Sequence, residues 1–244
     1  MNKRKACFRS VVWLALVLLG ALLLTCCSPK LRVGALKTES QSVELGDAKS
    51  VNVEINFGAG DLRVTGGAEK LLEANFTYNV AKLKPEVEYA DGRLVVRLPE
   101  VKGLPALGDI ADFRNEWDLR LNNEAPIHLR VDVGAGTSDL QLAGLSLTGL
   151  DINLGASEST VDLSGSWVHD LDVIIEAGVG DVIVRLPKDI GVRVAVETAI
   201  GTIDAPGLKQ EGNVYTNAAY GISDVTLQIN LEAGIGKINL EVKE

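Results

Sequence analysis

Apolar and polar residues alternate along most of this chain, and in its second half the alternation recurs with a period of 21 residues. Alternation of this kind is typical of a β-strand with one buried face. A fixed period is typical of a solenoid, in which short units stack on one another. The pattern therefore predicts a parallel β-solenoid. Copies of its first strand begin at Leu129, Leu150, Leu171, Val192 and, one residue late, Val214.

A second alternating segment follows each first strand after a turn of small residues such as Gly134-Ala135-Gly136. Small residues suit a sharp bend or a close approach of two backbones. Glycine-rich turns bind phosphate when a helix follows, but here a strand follows each time. Each coil is therefore expected to hold two strands. The apolar pairs of the second strand are Leu140/Leu142, Val161/Leu163, Val182/Val184, Ile203/Ala205 and Val225/Leu227.

The period also predicts which side chains are neighbours. If each copy stacks on the next, equivalent side chains lie about 4.8 Å apart. Leu129, Leu150, Leu171 and Val192 should then form one interior row. Few like charges meet in the two outward columns that this stacking implies, and this favours the register. The columns are Asp139, Thr160, Asp181, Thr202, Asp224 and Arg130, Asp151, Asp172, Arg193, Tyr215.

The last repeat is compressed. Residues 225–231 are predicted to serve as the second strand of one coil and the first strand of the next. Gly234-Ile235-Gly236 and a strand at 238–242 follow. A solenoid needs an atypical end unit to hide its open strand edge. The C-terminal segment is therefore predicted to be the terminal cap.

The front of the chain carries the strand–turn–strand unit once, at residues 53–64, before the period breaks. Asp91-Gly92 is a strong hairpin signal between the alternating segments 86–90 and 93–98. The fold class predicted for the whole chain is all-β, a parallel β-solenoid of about five to six coils with an N-terminal antiparallel β module. Further strands are predicted at 71–79 and 117–121 and a loop at 99–114, with the β module at 50–125 and the solenoid at 126–244.

The N-terminus predicts a location. Four basic residues precede an apolar run from Val11 to Leu24, which is typical of a secretory signal and short for a transmembrane helix. The run ends in Leu24-Thr25-Cys26-Cys27-Ser28, which resembles the lipobox of bacterial lipoproteins. Cys27 is the better candidate for lipid attachment and Cys26 the second choice. Residues 1–26 would be the signal peptide and residues 27–49 a flexible tether; a plain secretory signal or an uncleaved anchor is the alternative.

Cysteine content and charge exclude several functions. The three cysteines are Cys7, Cys26 and Cys27, so the predicted folded part has no disulfide and no cysteine metal site. The chain carries a net charge of −9. Removal of the signal takes away four basic residues and no acidic ones, which leaves 20 basic against 33 acidic residues, or −13. An acidic surface argues against nucleic acid and against lying flat on anionic lipid.

Candidates for catalysis are few. His169 and Asp170 could form a triad with Ser164 or Ser166, but these residues are crowded into one turn. The second histidine, His128, stands at the start of the first repeat. Two histidines offer too few ligands for a metal site. No catalytic, cofactor-binding or metal-binding residue is therefore predicted.

Two further kinds of site occur on β-solenoids, a calcium site and a carbohydrate-cleaving site. Calcium-binding β-rolls need a nine-residue glycine- and aspartate-rich repeat, whereas the aspartates here are isolated. A carbohydrate-active β-helix enzyme needs converging carboxylates, for which Asp151, Asp170 and Asp172 are the candidates. Trp167 and Tyr215 are the aromatic residues expected to decorate the coils. A solvated face explains these residues more simply.

The sequence also resembles a known family. Asn115-Glu116-Trp117-Asp118-Leu119-Arg120-Leu121-Asn122, followed by Val133-Gly134-Ala135-Gly136 and Leu154-Gly155-Ala156-Ser157, resembles the bacterial toast-rack domain family over about residues 50–244. That family is similar to cell-wall-active antibiotic response proteins and to putative-adhesin β-solenoids. The resemblance implies an envelope protein and supplies no catalytic residue.

These observations together predict a non-enzymatic, extracytoplasmic, lipid-anchored protein of the cell envelope. It would contact the membrane through its N-terminal lipid and present the solenoid to an unidentified envelope protein or glycan, in envelope stress response or adhesion. No cofactor and no nucleic acid partner are expected. The alternatives are a carbohydrate-active β-helix enzyme or carbohydrate-binding module, and an accessory to a membrane kinase.

Overall fold

The computed structural model describes residues 33–99 and 112–243, whose regular structure is almost entirely β-strand. None of these residues belongs to a helix with the length and apolar character needed to span a membrane. A single turn of 3-10 helix lies at Ala81–Leu83. The predicted all-β class is thereby confirmed. The strands are β1 (Lys37–Val43), β2 (Val51–Thr65), β3 (Leu72–Tyr78), β4 (Glu86–Ala90), β5 (Arg93–Arg97), β6 (Asn115–Leu121), β7 (Ile127–Gln141), β8 (Leu147–Asp162), β9 (Leu171–Val179), β10 (Val182–Pro187), β11 (Gly191–Asp204), β12 (Lys209–Glu211), β13 (Val214–Thr216) and β14 (Thr226–Lys243).

Six coils stack in parallel. In spatial order they are coil 1 (β2), coil 2 (β7), coil 3 (β8), coil 4 (β9 and β10), coil 5 (β14) and coil 6 (β11). Each path bends sharply near its middle, so the part before the bend belongs to a first face and the part after it to a second face. Coils 1 and 2 stay in register from Val51 and Ile127 to Thr65 and Gln141. This arrangement confirms the predicted parallel solenoid.

The inward side chains of both faces form one hydrophobic core. Leu129 on the first face and Leu140 on the second are fully buried. Near the front of the stack, Trp117 packs edge-on against Phe57 and Phe76, with ring centroids 5.1 and 5.4 Å away. Each buried aliphatic side chain contributes about 1.5–3 kcal/mol. The described part of the chain is thus large enough to be stabilised by its hydrophobic core.

The spatial order of the coils departs from the sequence order. Strand β14, the last in the chain, lies between β9 and β11 on the first face and between β10 and β11 on the second. The predicted role of the C-terminal segment as a terminal cap is therefore wrong. Residues 188–190 carry the chain past the slot of coil 5, and residues 217–225 bring it back.

The end of the stack is closed by a hairpin instead. Strand β13 pairs antiparallel with β11, and β12 pairs antiparallel with β13. The expected fifth copy at Val214–Thr216 is thus a cap, not a coil. Asn217 fixes this cap: its buried side chain accepts a bond from the Val192 amide and donates to the carbonyl of Ile190, at 3.0 and 2.7 Å.

The antiparallel module extends the front of the stack. Strands β1, β3 and β6 continue the second face beyond coil 1, and the β4–β5 hairpin continues the first face through parallel pairing of β5 with β2. Asp91 and Gly92 both have positive φ, 50° and 75°, so the predicted hairpin turn is confirmed. Residues 37–43, expected to belong to the tether, instead form the edge strand β1.

The interior row is only partly as predicted. Leu129 pairs with Leu150, but Leu150 pairs with Val173 instead of Leu171. Val161 likewise pairs with Val184, so both faces shift by 23 residues between coils 3 and 4. The two additional residues lie in the connection 163–170, which buries Trp167. A fixed period of 21 could not anticipate this longer connection.

The shift also changes the outward columns. Asp151 faces Ile174, and Asp172 faces Gln228, so the expected Asp151–Asp172 contact is absent. In the other column Asp139 faces Thr160 as predicted, but Thr160 then faces Ile183 and not Asp181. The two predicted columns are therefore correct only across coils 2 and 3.

Small residues line the bend because neighbouring backbones pass very close together there. A Cβ added at Gly134, Gly155, Gly178 or Gly234 would overlap or crowd a carbonyl oxygen of the adjacent coil. A second column, which includes Gly136 and Gly180, has positive φ as well as a neighbouring carbonyl in the way. The structural role expected for these turns is thus confirmed.

Candidate functional site

The possible triad of His169, Asp170 and Ser164 does not form. His169 Nε2 lies 3.1 Å from the carbonyl oxygen of Leu147. Asp170 accepts a hydrogen bond from the backbone amide of Thr226. Ser164 Oγ donates to Asp162 Oδ1 at 2.5 Å. Each group is used to fix a connection between coils, so none of them acts as base or nucleophile for another.

His128 makes a different contact. Its Nε2 lies 3.0 Å from Asp151 Oδ2 on the neighbouring coil, and both side chains are partly exposed. Ordinary His–Asp pairs on a sheet surface stabilise the register weakly. The pair is therefore a cross-strand contact between β7 and β8.

The carbohydrate-enzyme hypothesis required carboxylates beside an aromatic platform. Asp151 and Asp172 do not stack, and Asp170 caps Thr226. Trp167 and Tyr215, expected to decorate the coils, are each only 6% exposed and belong to the core. Trp167 Nε1 donates to the Leu163 carbonyl at 2.9 Å, so the ring is fixed inward. The expectation of exposed aromatic rings is therefore wrong.

Among residues 33–99 and 112–243, no group of three or more His, Cys, Asp or Glu side chains could hold a metal ion. The isolated aspartates serve the ladder instead: Asp61 accepts a bond from Thr137 at 2.6 Å, and Asp181 accepts one from the Lys237 amide at 3.0 Å. Cys27 and Cys26, the candidates for lipid attachment, lie outside the described residues.

A groove of about 1110 Å³ runs along the stack where the first face meets the bend. Every coil contributes three consecutive residues to it, and Leu98 closes one end. Its wall is an outward row of polar side chains, one from each coil, and its floor is apolar or small. In spatial order the wall is Asn56, Asp132, Asn153, Glu176, Glu232 and Glu197.

The two halves of this groove differ. In coils 1–3 the single carboxylate, Asp132, is neutralised by Arg130 at 3.0 Å and receives a 2.6 Å bond from Asn153. In coils 4–6 the wall consists of Glu176, Glu232 and Glu197, all exposed. These three carboxylates make no ion pair or hydrogen bond with any other described residue. We call them the acidic row.

An apolar row runs beside the acidic row. Val179, Ile235 and Ile200 are register partners on the same three coils and are 54%, 50% and 66% exposed. In coils 1–3 the equivalent residues are alanines. Aligned, exposed β-branched side chains are uncommon on a surface without a partner.

These residues do not stand out when the sequence of each coil is read alone, although the repeats carry a signal for them. The bends of coils 4, 5 and 6 read Glu-Ala-Gly-Val-Gly, Glu-Ala-Gly-Ile-Gly and Glu-Thr-Ala-Ile-Gly, from Glu176, Glu232 and Glu197. Coils 1–3 have Asn or Asp in the first place and Ala in the fourth. Comparison of the copies place by place would have revealed the difference, but not that Glu232 lies between the other two.

The second face also has a depression, of about 910 Å³, and most of the six carboxylates that line it are engaged in hydrogen bonds or ion pairs. Arg63 is the register partner of both Asp118 and Asp139, and lies 3.9 Å from the latter carboxylate. Lys237 stands beside Asp181 through β10–β14 pairing. This face is therefore mainly a solvated sheet surface.

A titratable contact away from the groove holds the β1 edge. Burial, and then the hydrogen bond that its hydroxyl donates to Glu39 at 2.7 Å, raise the pKa of Tyr78 to about 12. Hydrogen bonds from Lys84 and Tyr78 lower the pKa of Glu39. These shifts come from structural contacts between β1, β3 and the turn at 81–84, and they indicate no catalysis.

Known proteins similar to this chain agree with the geometry. Residues 32–185, more than half of the chain, match the family described as the N-terminal domain of toast_rack. Residues 135–240 match the family described as cell wall-active antibiotics response LiaF, C-terminal. No curated protein matches the sequence.

A solved structure from Clostridium sporogenes, named a putative cell adhesion protein, is 34% identical, with a TM-score of 0.82 over 86% of this chain and 100% of that chain. A structure named a putative adhesin, from Bacteroides fragilis, is 12% identical over 84% of this chain and 97% of that chain, with a TM-score of 0.30. The family match and the first structure together show that this chain belongs to the toast-rack family.

Proposed function

We propose that this chain is a non-enzymatic, lipid-anchored protein of the cell envelope that presents its β-solenoid to another envelope protein or to a glycan. The observation that carries the proposal is the groove beside the bend. Over three coils its wall consists of unneutralised carboxylates, and exposed aliphatic side chains follow three residues later on the same coils. A surface of this kind suits binding, whereas the candidate catalytic groups are separated and engaged in the ladder.

The comparisons support an envelope-associated role in adhesion or stress response. One matched family is described by a response to cell wall-active antibiotics, and the 34% identical structure is named a putative cell adhesion protein. The toast-rack, LiaF-like and putative-adhesin families are not known as enzymes. The proposal takes from these names only the location and the general class of function.

The proposed lipid anchor would set the orientation of the solenoid relative to the membrane. A lipid on Cys27 would connect through residues 28–36 to β1, which lies at the same end of the stack as coil 1. Nine residues span at most about 30 Å. Coils 4–6, with the acidic and apolar rows, form the other end. The anchor would therefore hold the β1 end near the membrane, with the rows at the end farther from the tether.

Crosslinking in membranes tests this proposal. Partners would be crosslinked and co-purified with the wild-type chain, Cys27→Ala and the matched control Cys26→Ala, and the mature N-terminus would be identified by mass spectrometry. We expect a lipidated Cys27 and specific envelope partners that are lost in Cys27→Ala and kept in Cys26→Ala. An unlipidated chain, or depolymerisation of a glycan by the purified protein, would overturn the proposal.

A further inference from the structure

The acidic row is a set of like charges held close together by the fold. Glu176 is the register partner of Glu232, and Glu232 that of Glu197. Partners in a parallel ladder lie about 4.8 Å apart, a distance at which like charges destabilise a sheet. Elsewhere on this surface a nearby arginine or asparagine relieves the carboxylate, as for Asp132. A row left without such relief has the charge complementary to a cationic partner.

The apolar row defines the other half of the surface. Each of its residues stands three places after a glutamate of the acidic row, and only small or short side chains lie between them. The intervening pairs are Ala177-Gly178, Ala233-Gly234 and Thr198-Ala199, which line the floor of the groove. An occupant must therefore carry a cationic stripe and an apolar stripe side by side. An anionic membrane or a nucleic acid would be repelled by the acidic row.

The spacing between successive coils favours an α-helix as the secondary structure of the bound segment. Successive rungs of both rows are about 4.8 Å apart along the stack. Side chains at positions i and i+3 or i+4 of an α-helix lie about 5–6 Å apart, whereas same-side residues of an extended strand are about 6.6–6.8 Å apart. Over three coils the spacing of side chains on one side of a helix therefore remains close to the spacing of residues in the two rows. A helix is about 10 Å wide with its side chains, and only two small or short residues separate the two rows along each coil.

We propose that the surface formed by the acidic and apolar rows of coils 4–6 binds a basic, amphipathic helix of a protein partner. The helix lies along the stack, with Lys or Arg against the glutamates and aliphatic side chains against Val179, Ile235 and Ile200. This inference rests on the proposed function and names its site and the chemistry of its partner. It follows from charge complementarity and from the matched repeat distances.

The test uses the full chain in zwitterionic lipid nanodiscs, with empty nanodiscs as the blank. The probe is a Lys/Leu/Ala peptide of about 18 residues, long enough to form an amphipathic helix, with adjacent lysine and leucine stripes. A peptide of the same composition in scrambled order is the matched probe. Binding is measured by fluorescence anisotropy at low and high salt.

The protein variant is the triple substitution Glu176→Gln, Glu232→Gln and Glu197→Gln. The matched control removes three charges from the second face, by Glu116→Gln, Asp118→Asn and Glu158→Gln. A second variant, Ile235→Ser, tests the apolar row. Thermal unfolding followed by circular dichroism checks that every variant is folded, and removal of the repulsion should leave the groove variant at least as stable as wild type.

We expect saturable binding of the amphipathic peptide that weakens with salt. The groove variant should bind about tenfold more weakly, as the loss of three exposed ion pairs of ordinary strength predicts. The control should change by less than about twofold. Ile235→Ser should weaken binding at both salt concentrations. No saturable binding, equal binding of the scrambled peptide, or equal losses in groove variant and control would overturn the inference.

The two proposals fail separately. If the peptide does not bind, yet the same envelope partners are crosslinked by wild type and by the groove variant, the helix-binding surface is wrong and the proposed function stands. If wild type yields no envelope partner in membranes, the proposed function is wrong whatever the peptide does.

Discussion

The carboxylate of Asp170 accepts a 2.8 Å hydrogen bond from the backbone amide of Thr226, although 56 positions separate the two residues. The bond ties the start of β9 to the start of β14. The next residues, Leu171 and Leu227, are the first register partners of these two strands. Asp170 therefore sets the position at which the last strand of the chain enters the middle of the stack.

Replacement of Asp170 by alanine should lower the free energy of unfolding by about 1–2 kcal/mol, because the Thr226 amide loses a charged acceptor. Urea unfolding followed by tryptophan fluorescence measures this. The control is Asp172→Ala, an exposed neighbour on the same strand, which should cost less than about 0.5 kcal/mol. Equal losses for the two variants would mean that Asp170 does not fix the register.

A separate peptide with the sequence of β14 should be able to take the place of coil 5 in the stack. A chain that ends at Val225 exposes two parallel strand edges, those of coils 4 and 6, and opens the core. We expect this chain to lose cooperative unfolding, and a synthetic peptide of residues 226–244 to restore it. Hydrogen exchange on β9 and β11 would show the recovery, with a scrambled peptide as the control. Cooperative unfolding of the truncated chain without any peptide would contradict the expectation.

Substitutions at two glycines can separate the energetic cost of a left-handed backbone conformation from the cost of close packing between coils. Gly180 has a φ of +133°, and a Cβ there would overlap the carbonyl oxygen of Ser157; Gly144 has a φ of +86° and open space around it. Gly144→Ala should cost about 1–2 kcal/mol for the left-handed conformation alone. Gly180→Ala should cost more than about 3 kcal/mol, because the two coils must also separate. Denaturant unfolding of both variants checks the ranking, which fails if their costs are equal.

The pKa of Tyr78 makes the β1 edge sensitive to alkali. Burial and the bond to Glu39 raise this pKa to about 12, above its ordinary value of 10.0. A raised pKa contributes stability that is complete below pH 10.0 and is lost as the pH rises toward 12. Absorbance titration should show one tyrosine ionising near pH 12 that is missing in Tyr78→Phe. In Glu39→Gln its pKa should fall only partly, because burial remains; a return to the ordinary value would make Glu39 the main cause.

Local signals predicted the parts of the fold that depend on local chemistry. The Asp91-Gly92 turn was predicted because few residues accept positive φ at both places of a two-residue hairpin. The pairing of Leu129 with Leu150 was predicted because coils 2 and 3 keep the 21-residue period. The pairing of Leu150 with Val173 was missed, since the longer connection that buries Trp167 has no periodic signature.

The candidate site was missed for a related reason. The glutamates at 176, 232 and 197 are ordinary exposed residues when each coil is considered alone. They become a site only when three coils stack and place them in one row. The histidines and Asp170 were candidates for catalysis because of their chemical types. In the folded protein His169 fixes a connection between coils, and Asp170 fixes the register of β9 and β14.

The sequence by itself determined the make-up of a coil, which is two strands of alternating apolar and polar residues joined by a bend of small residues. The cellular location that the N-terminus indicates stays a prediction. The tertiary structure decided which coil lies beside which. The physical reason is that every coil offers the same backbone ladder and a similar row of Val, Leu and Ile, so neighbouring slots are nearly equivalent to an incoming strand. The long return at 217–225, the Asn217 bonds and the Asp170–Thr226 bond choose between those slots, and all of them join residues far apart in the chain.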